Sequence, residues 1–167
     1  MTLPLGFPTY LRRAIWELAV LAFLCGLGAI LHAEQVGVIV SSSVNFNVLN
    51  VAASSSGSPS ATVNYSAASL TSGHKLRISV LAAAANFTTS TGSPIPASNA
   101  SWIISSASGG SGSSGTLSSS TWTQVYLSNA NPTSGSVSLD FSLAAPGSGV
   151  KAVMQSLNLQ WKFESVP

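Results

Sequence analysis

The run Leu157-Asn158-Leu159-Gln160-Trp161-Lys162-Phe163 decides how this chain folds. Every second residue is apolar and each residue between is an amide or a cation. In a strand, successive side chains point to opposite faces, so this run has one face for a core and one for water. The same period recurs upstream. Leu76, Ile78 and Val80 alternate with Lys75, Arg77 and Ser79, and Val137, Leu139, Phe141 and Leu143 alternate with serines and Asp140. Val44, Phe46 and Val48 alternate with Asn45, Asn47 and Leu49, and shorter runs lie at Val63/Tyr65 and at Trp102 to Ile104. Around Thr123 the pattern puts Thr123, Val125 and Leu127 on one face and Trp122, Gln124 and Tyr126 on the other. About seven strands separated by Gly/Pro/Ser/Asn connections predict an all-β fold, a single antiparallel β-sandwich of immunoglobulin-like or jelly-roll type. The one segment of the body with an alternative is Ala82 to Ala85, which could form a single helical turn.

A different kind of sequence precedes these strands. Arg12 and Arg13 stand before an apolar run from Ala14 to Leu31, interrupted by Glu17 and softened by Gly26 and Gly28. A positive start, an apolar stretch and a small residue at the end are the parts of an export signal. Residues 1–33 are therefore expected to be an N-terminal signal helix, cut after Ala33. The alternative is an uncleaved anchor, because roughly 18 apolar residues are about the least that spans a bilayer. Either way the positive-inside rule puts residues 34–167 outside the cytoplasm, secreted or held at the cell surface or in the periplasm. Cys25 lies inside the apolar run after Phe23 and Leu24, which is not the setting of a lipid-modified cysteine. Residues 34–167 contain no other cysteine, so a disulfide framework is excluded and an apolar core must hold the domain.

Charge excludes more functions than it suggests. Lys75, Arg77, Lys151 and Lys162 face Glu34, Asp140 and Glu164, which leaves one positive charge with no basic stripe. Nucleic-acid binding is unsupported. Such a surface repels neighbouring copies very little, which suits dense packing beside further copies or polysaccharide. The connections are biased towards small residues. Ala52 to Ser60 and the glycine-rich stretch Ala107 to Ser120 read as mobile loops, with no phosphate-binding motif. Turns are expected at Ser72-Gly73-His74, at Asn131-Pro132 to Gly135 and at Pro146-Gly147.

No catalytic or metal site is expected and no cofactor is implied. A glycosidase needs two placed carboxylates, and nothing pairs Asp140 with Glu164. One histidine in the body, His74, reads as a solvent-facing turn residue, and serine near it has no nucleophile-elbow motif. Asn64, Asn86 and Asn99 match the N-glycosylation sequon, as Ser-rich chains do by chance.

Two binding features remain. Trp122 and Tyr126 share the polar face of their strand and are candidates for stacking on sugar rings. The alternating arm Val36, Val38, Val40, Val44, Phe46, Val48 could add to a neighbour's sheet edge, or could be the first strand of its own domain. These features predict an exported, non-enzymatic structural or adhesive surface protein, such as a fibre, pilus or coat subunit assembling by strand addition. Its expected partners are further copies or other surface proteins, with the membrane touched only through an uncleaved N-terminal segment. A secreted carbohydrate-binding module is the alternative. In architecture the reading resembles the sandwich subunits of bacterial pili and spore coats, with two departures: no disulfide pair, and a C-terminal strand that is already complete.

Overall fold

The computed structural model describes residues 34–57, 60–147 and 149–167; the expected signal segment, residues 1–33, lies outside them. In chain order the strands are β1 (Gln35–Ile39), β2 (Ser43–Asn47), β3 (Ser55–Ser56), β4 (Ala61–Ser69), β5 (Lys75–Ala82), β6 (Ala100–Ser108), β7 (Gly110–Gly112), β8 (Gly115–Thr116), β9 (Thr123–Ser128), β10 (Gly135–Leu143) and β11 (Met154–Val166). One 3-10 turn, Ala97–Asn99, precedes β6. One sheet runs β1-β4-β10-β6-β8, with β3 also on β10, and the other runs β2-β11-β5-β9-β7. Every pairing between these strands is antiparallel. The chain folds as an all-β antiparallel sandwich.

The alternating runs form the long strands β2, β4, β5, β6, β9, β10 and β11. Their apolar members fill the space between the sheets: Val63, Tyr65, Trp102, Val137, Leu139 and Phe141 from one, Val44, Phe46, Leu76, Ile78, Val80 and Leu157 from the other. Each is almost wholly removed from water. Burying a side chain of this size contributes about 1.5–3 kcal/mol, so the facing sets replace the missing disulfide. Trp102 packs tilted on Phe141 at 5.9 Å between ring centres, and its indole N–H donates to the Ser113 carbonyl at 2.8 Å.

The glycine-rich stretch is not a mobile loop. Gly110–Gly112 and Gly115–Thr116 are strands β7 and β8, and Leu117 beyond them is buried. Glycine is used here for close approach. A Cβ at Gly115 would lie 2.7 Å from the Trp102 ring, and one at Gly110 would run into the Leu127 carbonyl. The same composition that reads as flexibility lets the chain lie flat against its neighbours and close that side of the sandwich. Ala82 to Ala85 makes no helical turn either. Ala82 ends β5, Ala83 donates its N–H to the Asn158 carbonyl and Ala85 accepts from Ala97, so these backbone groups join neighbouring segments.

β4 contains one unfavourable backbone conformation. Where β1 pairs with β4 the register slips between Gln35 and Gly37, and Ala67 takes up the extra residue with φ 50°. The left-handed region costs an L-residue about 1–2 kcal/mol, which glycine avoids. Ala67→Gly is therefore expected to stabilise the domain by about 0.5 kcal/mol after the entropy of the freer unfolded chain is subtracted, measured by urea denaturation. An unchanged or lower midpoint would contradict strain at this position.

Candidate functional site

The two expected stacking aromatics are separated by a bulge. Trp122, just before β9, is half-exposed, and the Lys162 ammonium lies 5.3 Å from its ring centre. Tyr126 is fully buried, so no exposed aromatic pair forms. The cause is local. Ile78 pairs with Tyr126 but Ser79 pairs with Gln124, which leaves Val125 unpaired in β9. An extra residue shifts the alternation by one, so Val125 and Tyr126 both face inward.

Once inside, Tyr126 becomes a polar clasp between the sheets. Its hydroxyl donates to the Ser108 carbonyl at 2.7 Å, and it lies 3.2 Å from the hydroxyl of Tyr65 on the opposite sheet. Burial, reinforced by Tyr65, pushes the Tyr126 hydroxyl above the ordinary phenol range, so it stays protonated. Tyr126→Phe leaves the Ser108 carbonyl and the Tyr65 hydroxyl without this partner. The expected cost is about 1–2 kcal/mol, read from denaturant unfolding.

The arm divides between the two sheets. Val44, Phe46 and Val48 are buried, and β2 pairs with the first half of β11 from Asn47↔Met154 to Ser43↔Asn158. These three residues are core of their own domain and are not free to add to a neighbour. Val36 and Val38 lie on β1, which crosses to the other sheet and, among the described residues, pairs with β4 alone. Val36 and Val40 pack partly against the core, while Val38 is 38% and Ile39 74% exposed. The connection is pinned on the β2 side: Trp161 donates its indole N–H to the Ser41 carbonyl at 2.7 Å, and Leu159 donates its N–H to the Ser42 carbonyl at 2.8 Å.

A hydrogen-bonded latch holds the start of β1. One Glu34 carboxylate oxygen accepts from the Thr71 N–H at 2.8 Å and from the Ser165 hydroxyl at 2.9 Å. His74 Nδ1 lies 2.8 Å from that hydroxyl and 3.9 Å from the carboxylate. His74 is thus a half-buried member of a cluster and not a free turn residue. Ser165 donates its proton to Glu34, so the cluster ties the start of β1 to the end of β11. The latch is invisible in the sequence because its members are far apart in the chain, and only the meeting of β1, the turn after β4 and the end of β11 joins them. Next to it, Val36, Leu70, Leu76 and Phe163 line a groove of about 190 Å³.

The remaining titratable groups do not converge. Asp140 lies on the outer face of β10, whereas Glu164 lies on β11 in the other sheet and pairs with Arg77 at 3.1 Å and Lys162 at 3.2 Å. The Lys162 contact, then Arg77, holds Glu164 below the usual carboxylate range. Among the described residues no group of three or more His, Cys, Asp or Glu is placed to hold a metal ion. Compared with known proteins, the chain matches no family model, no curated protein and no solved structure.

Hydrogen bonds from Thr71, then Ser165, with His74 nearby, hold Glu34 below the usual glutamate range. A carboxylate with a lowered folded pKa stabilises above its unfolded value and loses that contribution as pH falls through the folded one. Hydrogen exchange at the Thr71 amide is therefore expected to accelerate on acidification below about pH 4.5 beyond its intrinsic trend. Glu34→Gln should flatten that response. A variant that keeps the full acid dependence would exclude Glu34 as its source.

Proposed function

We propose that this chain is an exported, non-enzymatic structural or adhesive protein whose sandwich associates with other surface subunits through the outer edge of β1. The observation that supports this most directly is the character of that edge. Among the described residues β1 has a neighbour on one side only; it carries no charge and no proline, and exposes Val38 and Ile39. Natural edge strands are usually guarded by lysine, proline or a cover, because an open edge templates pairing with another chain. The outer face of the same sheet adds weight. Thr62 pairs with Ser138, Ser101 with Ser142 and Ser108 with Ser136, so hydroxyls bond one another across β4, β10 and β6 with Asp140 as the acid among them. A surface of this kind sets up little repulsion between close-packed copies. The Arg12–Arg13 segment and the apolar run behind it support export. Sugar stacking by an aromatic pair is not part of the proposal, since Tyr126 is buried.

The test is light scattering coupled to size exclusion on chain recovered from the exported fraction, over a concentration series. Multimers that grow with concentration and are lost in Ile39→Lys are the expected result, since a charge beside the open edge opposes strand pairing. A monomer at every concentration would rule out association by this domain, and multimers unaffected by Ile39→Lys would place the contact elsewhere.

A further inference from the structure

We infer that β1 is an exchangeable strand, and that β1 of a second copy can take its place along β4. This rests on the self-associating reading above and names the partner and the route. The first support is how little holds β1 to its own domain. Four of its five residues are exposed, and Val36 is the one packed partly against the core. The latch at Glu34 is open to solvent and is three hydrogen-bonding contacts deep.

The hinge is the second support. Ser41 and Ser42 are held by Trp161 and Leu159, so β2 keeps its place in the opposite sheet when β1 leaves. Val40 alone separates the end of β1 from that anchor. A strand that swings on so short a connection has little room to return, and short hinges favour exchange between copies. The joint itself is the third. Ala67, with φ 50°, sits between Ser66 and Ser69, the β4 residues that pair with Gly37 and Gln35. The slip at Ala67 breaks the regular ladder between β1 and β4, so fewer evenly spaced main-chain bonds hold β1 at this end.

A second copy is the occupant these facts select. Its β1 re-forms the whole of the original pairing, including Val38 opposite Tyr65 and Ile39 opposite Asn64, so the closed and exchanged forms share the same joint. Reciprocal exchange closes a dimer, and exchange in series extends a chain.

Ile39 and Asn64 are exposed register partners, which makes the joint easy to trap. The full chain with Cys25→Ser is made with Ile39→Cys and, separately, with Asn64→Cys; the two are co-produced, exported and oxidised. Exchange predicts a disulfide-bonded pair on a non-reducing gel, absent when Asn64→Cys is replaced by Ser105→Cys, which lies two strands further across the sheet. Both cysteines in one chain provide the reference, and should also give an internally bridged monomer. No bridged pair from the co-produced chains, with the double variant closing internally, overturns exchange. Multimers in light scattering without the bridged pair would leave edge association standing and remove exchange alone. Loss of both would remove both.

Discussion

Two sets of apolar side chains, pressed together with no covalent tie between them, hold this domain. Residues 34–167 contain no cysteine and seven charged residues, three of which form the Arg77–Glu164–Lys162 group on one sheet. Cohesion between the sheets therefore falls to shape and area. That explains the fully buried tryptophan, the buried tyrosine pair and the glycines that let backbone approach aromatic rings. A core of this kind is dense, and local departures from regular pairing are felt across it. The bulge in β9 is one such departure with a structural use. By turning Tyr126 inward it places a hydroxyl where Tyr65 and the Ser108 carbonyl can use it.

The long strands are legible because their burial follows a period of two, and that period shows in the residues themselves. The apolar members of Leu76 to Val80 and of Leu157 to Phe163 turn inward as their alternation requires, although Ser79 is buried with the first set and Trp161 and Phe163 stay only partly covered. Alternation alone puts Tyr126 on the wrong face, because an unpaired residue in a strand leaves no mark in the sequence; it is created by the neighbour's register. The glycine-rich segment misleads for a different reason. Glycine permits mobility and close packing alike, and only the position of Trp102 and Leu127 selects between them. The arm shows a third limit. Its valines alternate on both sides of Ser41 to Ser43, yet the chain changes sheet between Val40 and Val44, so the first half lies at an edge and the second in the core.

That change of sheet is also where the two ends of the energy scale meet. β2 is locked by Val44, Phe46 and Val48 in the centre of the molecule, while β1, just upstream, contributes one half-buried valine and a solvent-facing latch. Local stability within a fold ranges from almost nothing at exposed edges to the global value in the core, and adjacent segments can sit at opposite extremes when a pinned hinge divides them. Ser41 and Ser42, held by Trp161 and Leu159, are that division.

The depression beside Asp140 and Ile103 is about 360 Å³ and lies on an open sheet face, and the groove near Glu34 is smaller. The groove is lined by Glu34 and Ser165 of the latch, and the depression by Asp140. Along β1 the main chain presents a row of donors and acceptors, uncharged, with Val38 and Ile39 exposed among them. Main-chain pairing is indifferent to side-chain identity, so discrimination must come from what the neighbouring strand presents. On β4 that is the kinked stretch from Asn64 to Ser69, whose register slip fits a strand spaced as Gln35 to Ile39 is. The extra residue sits in β4, where Ala67 takes it up, opposite a β1 that runs on without one.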